Sequence, residues 1–490
     1  MAHQPSDSLS SSQSVPSKSS GWAMATLSLC MLLAALGISI VAIALPALVE
    51  VFDTTLAGAQ WVILAYLLTL TVSTLPLSRL ADGIGLRPVL LGGLVLFVVA
   101  SLVCSLAPNL GFLIGGRAAQ GMGAAILMAL PLSVVRQTVP AERTGAAMGL
   151  LGTMSAIGTA LGPSLGGWLI SLLGWSSVFL AMALIGGVAF FLALMTVPPQ
   201  AKGAQPNKTS RLRDLDIAGL VTLVALLSAY ALALTANGGA FTLVHAGLLV
   251  AAVAGAFLFV RIERSARQPL IAIALFKDWH LGSGVVMNLL VSAVMMATLI
   301  VGPFFLKVSL GLSDALVGLV MAIGPATAAL SGVPAGLLTD RLNAQTVVRI
   351  GLGEMTVATL LLAFLPVWLG VPGFLIALVF LTPGYQLFLA ALNAGQMMRA
   401  GAEHRGAVAG LLTLSRNLGF ITGASLLGAV FAWASGDQNP IDAGSEAVAI
   451  GMTVTYLVCC GLVLMALLLS SLGQQKEPVG EARGTHKEGT

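Results

Sequence analysis

The sequence predicts an all-α integral membrane protein of about fourteen spanning helices, on three observations. The chain of 490 residues is 57% hydrophobic and only 9% charged, whereas soluble domains carry about a quarter charged residues. Apolar runs of about 20 residues, the length that crosses a hydrocarbon layer, follow one another along the chain. Basic residues then sort to alternate gaps between those runs.

Taken in order, the first twenty residues are a Ser-rich polar tail with one Lys, a composition that predicts disorder. The apolar run behind it is too long for a signal-peptide core and lacks a small-residue cleavage pattern, so it reads as a retained first span. Spans are predicted at approximately 23 to 49, 59 to 78, 88 to 107, 110 to 134, 144 to 171 and 175 to 197. After a polar break come 216 to 235 and 243 to 261, then 280 to 306, 315 to 338, 347 to 366, 371 to 396, 406 to 434 and 447 to 471.

With the N-terminus inside, the inner gaps hold Arg79, Arg87, Arg136, Arg143, Lys202, Lys208, Arg211, Arg213, Arg261, Arg264, Arg267, Lys277, Arg341, Arg349, Arg399 and Arg405. The outer gaps carry Glu50, Asp53, Asp314, Asp437, Asp442 and Glu446, and Lys307 is the single basic exception. This asymmetry puts both termini in the cytoplasm. Arg117 and Arg416 fall within spans. The four cysteines, Cys30, Cys104, Cys459 and Cys460, all lie in apolar runs, with neither disulfide nor metal spacing. Basic residues are scattered, which argues against a nucleic-acid partner.

The run Gly145 to Gly167 places Gly158, Gly162 and Gly166 on one helix face around Pro163, and it recurs 261 positions later as Gly406 to Gly428. A side-chain-free stripe lets helix backbones approach closely in lipid, and the proline removes a backbone bond and invites a bend. The doubled unit implies two parallel six-helix halves, 23–197 and 279–472, with a helix pair inserted in the linker region 198–278 and polar tails at 1–22 and 473–490.

Three motifs make the chain resemble the major facilitator superfamily, and within it the fourteen-helix drug/proton antiporter branch. The turn after the second span follows Gly-x-Leu-Ala-Asp-Arg-x-Gly-Arg-Lys at Leu80, Ala81, Asp82, Gly85 and Arg87 and departs from it at Ser78, Gly83 and Leu86. The fourth span matches Leu-x-x-x-Arg-x-x-Gln-Gly at Leu113, Arg117, Gln120 and Gly121. The fifth matches Gly-x8-Gly-x3-Gly-Pro-x-x-Gly-Gly at Gly149, Gly158, Gly162, Pro163, Gly166 and Gly167. The resemblance implies a cytoplasmic latch at Asp82, Gly85 and Arg87, proton coupling tuned by Arg117, and export rather than uptake through the fifth-span motif. Without it, the turn is an ordinary solvated loop, and Arg117 is open to snorkelling or to a structural hydrogen bond.

One departure matters. Many members carry an aspartate in the first span; the matching site here is Gly37, and no acid lies between Met24 and Pro46. Glu354 is then the only acid well inside a span, a second proton-coupling candidate, with pairing to Arg349 as its structural alternative. Gln120, Asn288, Asn393, Arg416 and Asn417 are candidate polar residues of the cavity; the amides among them more often glue helices together. Gln396 belongs to the same set, Met295 and Met296 suit an adaptable site or a core, and Asp214 and Asp216 read as caps. The implied protein is an inner-membrane, multi-pass exporter of drugs or other amphipathic small molecules, in exchange for protons, functional as a monomer and without cofactor or metal. The alternative keeps the fold and exports a specific metabolite or a neutral or anionic compound. Short loops and dispersed histidines disfavour an enzyme, and short tails a receptor.

Overall fold

The computed structural model describes residues 18–138, 141–197, 216–235, 243–265, 278–400, 405–436 and 439–472. Among these, fourteen helices are long and apolar enough to span a membrane. The first six are α1 (Lys18–Val51), α2 (Leu56–Ile84), α3 (Leu86–Ser105), α4 (Leu110–Thr138), α5 (Ala141–Leu173) and α6 (Ser177–Thr196). The inserted pair is α7 (Ile217–Thr235) and α8 (Leu243–Ser265). The last six start with α9 (Trp279–Phe304, extended by a π turn over Phe305–Ser309), α10 (Asp314–Arg341), α11 (Ala344–Leu369) and α12 (Val371–Arg399). Then α13 runs over Arg405–Thr422, widens into a π turn at Gly423–Leu427 and resumes over Gly428–Ala434, and α14 (Ser445–Leu472) closes the chain. All fourteen coincide with the predicted spans to within a few residues.

Backbone donors freed at helix starts find polar caps where the apolar runs begin. Thr55 Oγ1 accepts from the Gly58 N–H, Asn109 Oδ1 from Phe112, and Asp278 Oδ1 from His280. The predicted cap Asp216 accepts from Gly219 at 2.8 Å; Asp214 lies outside the described residues. Inner and outer are used below as the charge asymmetry assigns them.

The halves repeat one packing scheme. In the first, α1 packs on α5 and α6, α2 on α4, and α3 on α4 and α6; in the second, α9 packs on α13 and α14, α10 on α12, and α11 on α12 and α14. Both glycine stripes mediate the matching contact. A Cβ on Gly162 meets Ser39 and Ile40 of α1, while one on Gly419 or Gly423 meets Leu289, Ser292 and Ala293 of α9. Backbones this close leave no room for a side chain.

The two copies differ at the predicted bend. α5 runs as one α-helix with Pro163 inside it. Position 424 of α13 is Ala, and there the helix passes through the π turn instead, a recognised way of breaking helical register.

Candidate functional site

The two halves are joined at their outer ends. Just beyond the first stripe, a Cβ on Gly167 falls 2.7 Å from Gly318 Cα, so α5 and α10 touch backbone to backbone. Its counterpart in the second copy, Gly428, is pressed against the side chain of Gln60 on α2, which is 1% exposed. Gly158, Gly162 and Gly166 face α1 within their own half, so the crossing contact belongs to the glycine just beyond the stripe. Above this seam Lys307 Nζ sits 3.2 Å from Glu50 Oε1 of α1 and 3.3 Å from Asp314 Oδ1 of α10. The one basic residue in an outer gap is therefore a clasp between halves.

The inserted pair lies across the same seam. Trp61 Nε1 of α2 donates to Thr235 Oγ1 of α7 at 3.0 Å, and the hydroxyls of Tyr230 on α7 and Thr422 on α13 are 2.9 Å apart. Helix α7 thus holds one element of each half, while α8 turns Val250, Val253 and Phe257 outward.

Arg117 is fully buried, which excludes snorkelling. Its Nε donates to Val62 O at 2.8 Å, Nη2 to Gly37 O at 2.9 Å, and Nη1 to Gln120 Oε1 at 2.5 Å. Gln120 passes the network to Ser101 at 2.6 Å. The guanidinium also lies 4.1 Å from the Tyr66 ring centroid, and the Tyr66 hydroxyl donates to Ala34 O. Gly37, where an acid was expected, is part of this arrangement: its carbonyl receives the arginine, and a Cβ there would sit 2.8 Å from the Tyr66 hydroxyl oxygen. Three neutral acceptors and a π face thus replace a carboxylate.

Glu354 stands on α11, which packs on α12 and α14, with its Cβ against Gly384. Arg349 does not pair with it; Arg349 Nη2 donates to Ser470 O of α14. In the second half Asn288 Nδ2 donates to Leu412 O and Ser415 Oγ, both at 2.7 Å, and Gln396 Nε2 to His280 O. These two amides are helix glue. Asn417 is buried and Asn393 exposed. Arg416 is half-buried; its Nε is buried with no acceptor among the described residues.

At the inner turn Gly85 takes φ +112°, which favours glycine. Arg87 Nη2 donates to Leu194 O of α6, within its own half. The side chain of Asp82 and the surroundings of Gly149 lie outside the described residues. Sequence reasoning missed Gln60, Tyr66, Glu50 and Asp314; the solitary outer Lys307 was the available signal for the last two.

Two pseudo-equivalent six-helix halves that meet at their outer ends through Gly167 and Gly428, each with an arginine in its membrane interior, define a secondary membrane transporter. The profile of the Major Facilitator Superfamily matches residues 27–424 and 283–488, and the chain belongs to that family. It is 27% identical over 443 residues to the riboflavin transporter RibZ of Clostridioides difficile, covering 89% of this chain and 94% of that protein. It is 29% identical over 413 residues to the multidrug resistance protein Stp of Mycobacterium tuberculosis (82% and 74% covered). Over 396 residues it is 29% identical to the drug efflux pump JefA of the same species (81% and 77%). Among solved structures, a bacterial homolog of the human lysosomal transporter Spinster, inward-facing and unoccupied, superposes with TM-score 0.66 at 14% identity, covering 94% of this chain and 98% of that one. The nucleoside transporter NupG gives 0.65 at 13% identity, covering 92% and 99%. At these identities the solved structures speak for the fold alone.

Proposed function

We propose that this transporter exports amphipathic small molecules across the cytoplasmic membrane in exchange for protons, as a monomer, by rocking its two halves between outer-closed and outer-open arrangements. The observation that carries the reading is the complete glycine-proline motif of α5, associated by resemblance with export. Its terminal Gly167 is the contact between halves that must part when the outer end opens. The multidrug relatives point the same way. The riboflavin transporter among the relatives favours a second reading, a specific metabolite exporter of the same fold.

Coupling in this proposal centres on Arg117, whose buried charge needs acceptors that Val62, Gly37 and Gln120 supply. Any carboxylate that exchanges protons lies elsewhere, and Glu354 is the candidate within the spans. Asp82 and Arg87 remain the proposed inner latch.

The test is substrate-dependent proton movement in proteoliposomes loaded with a lipophilic dye, for the native chain, Arg117→Ala and Glu354→Gln. Gradient-driven export that Arg117→Ala abolishes supports antiport through this network. Retained coupling in Glu354→Gln makes that acid structural. Dye export indifferent to the gradient in the native protein refutes proton antiport.

A further inference from the structure

The two membrane-interior arginines differ in their surroundings. Arg117 has a backbone carbonyl, a second carbonyl, an amide oxygen and an aromatic face. Arg416 has a buried Nε without an acceptor, and no ion pair reaches it among the described residues. An arginine cannot discharge by losing its proton, so a charge held this deep calls for an anionic or strongly accepting partner.

Its position suits a ligand. Arg416 is nine residues from the inner end of the span Ala407–Ala434, about 14 Å at 1.5 Å per residue, close to the middle of a hydrocarbon layer about 30 Å thick. Its electrostatic neighbour is the Tyr385 phenol of α12, itself beside Ser292 of α9. Neighbouring residues of α13 pack elsewhere: Gly419 and Gly423 face α9, Thr422 meets Tyr230 of α7, and Ser415 bonds Asn288. The Arg416 charge acts on Tyr385 of α12, next to Ser292 of α9. Ser292 Oγ there is buried, with the Tyr385 phenol as its polar neighbour. Three polar groups from three helices neighbour one another, and among the described residues no carboxylate pairs with Arg416. The first half adds nothing to attract a cation, because Tyr66 and Arg117 fill the place of the missing acid at Gly37.

We propose that Arg416, Tyr385 and Ser292 form an anion-recognition subsite, taking the carboxylate or similar deprotonated oxygen acid of an amphipathic substrate at mid-membrane. The inference rests on the export reading and narrows its substrate class to organic anions. A planar guanidinium can hold a carboxylate through two parallel charge-assisted bonds, while the phenol and the hydroxyl each offer one more donor.

Fluorescein, a carboxylate dye, and Nile red, a neutral one, are the probes. Fluorescein binding to the purified full-length protein is read by anisotropy, and export of both dyes is read in proteoliposomes. The subsite predicts that Arg416→Gln weakens fluorescein binding at least ten-fold and lowers the fluorescein-to-Nile red export ratio by a similar factor. Arg416→Lys, which keeps charge but not the fork, should fall between, and Tyr385→Phe should cost a few-fold. Arg416→Lys and Tyr385→Phe carry the test if the Gln variant does not purify as a monodisperse species. Binding within two-fold of native in all variants, or equal loss of both dyes, overturns the subsite. Arg416-dependent fluorescein binding without export of either dye keeps the subsite and removes the export reading. Nile red export without fluorescein binding does the reverse, and neither binding nor export overturns both.

Discussion

Substituting Gly167 tests the seam most directly. A Cβ at this position lies 2.7 Å from Gly318 Cα and 3.0 Å from Gly318 N. Those are backbone atoms, so the clash is not relieved by a rotamer change, and the helices must separate. Overpacking of this kind typically costs about 1–3 kcal/mol. Gly167 and Gly318 belong to different halves, so the whole cost falls on the outer-closed arrangement. A penalty of about 1–3 kcal/mol shifts the equilibrium towards outer-open by about 5- to 150-fold. The four native cysteines are buried, so labelling of Gln60→Cys by a membrane-impermeant maleimide reports opening of the seam, Gln60 itself being 1% exposed. Gly167→Ala in that background should raise the labelling rate towards the lower end of the range and Gly167→Val towards the upper, with export falling in step. The internal control is Gly158→Ala, whose Cβ would meet Leu32 C at 2.9 Å within the first half. That contact persists through a rigid-body motion, so the control should lower the melting temperature and leave labelling unchanged. A labelling rate within two-fold of the parent in Gly167→Val refutes the seam.

The outer clasp and the inserted pair give two further expectations. Glu50 and Lys307 are partly exposed, at 48% and 22%, so their ion pair contributes at most about 1 kcal/mol. Glu50→Gln should therefore raise Gln60→Cys labelling less than about five-fold, and 0.5 M salt should mimic it; an effect larger than that of Gly167→Val would make the clasp, not the glycines, the gate. Tyr230→Phe and Thr235→Val each remove one hydrogen bond holding α7 to the seam, worth about 0.5–1.5 kcal/mol. Protease or hydrogen-exchange protection of α7 should drop in both while that of α1 to α6 holds, and unchanged protection would detach α7 from the seam.

The fold was legible because lipid imposes strong rules. Every span had to satisfy its backbone internally, so length and apolarity alone located the fourteen helices, and the offset of 261 residues gave the paired halves. The site was less legible. Arg117 stood out as a charge in a span with Gln120 one turn on in the same motif, but nothing local announced that the carbonyls of Val62 and Gly37 would receive it, since they come from two other helices. Gly37 read as a missing acid; only the placement of Tyr66 shows that the site has no room for one. The stripe of Gly158, Gly162 and Gly166 in α5 is the single packing face it read as, against α1, while the adjacent Gly167, about 100° round the helix, points to the other half. Asn288 and Gln396 turned out to be glue, as amides in membrane helices usually are.

The two copies of the repeat show how one packing unit can hold different duties. Both preserve the small residues that dock α5 on α1 and α13 on α9, a contact each half needs in every conformation. Both end in a glycine that crosses to the other half, Gly167 to α10 and Gly428 to α2, so the outer seam is pseudo-symmetric. Between these fixed points the copies diverge. The first carries Pro163 within a continuous α-helix, the second passes through a π turn, and only the second places an arginine, Arg416 in place of Ser155, one turn before the shared docking glycine. A π turn adds a residue to the local turn and so rotates the helix beyond it relative to the helix before it. Gly428 therefore keeps its crossing contact while the Arg416 charge acts on Tyr385 of α12. Relieving the π turn by deleting one residue within Gly423–Leu427 should return α13 to α-helical register and swing Gly428 away from Gln60. The expected result is faster Gln60→Cys labelling with the fluorescein subsite intact. Equal loss of both would mean that seam and subsite are one structural unit.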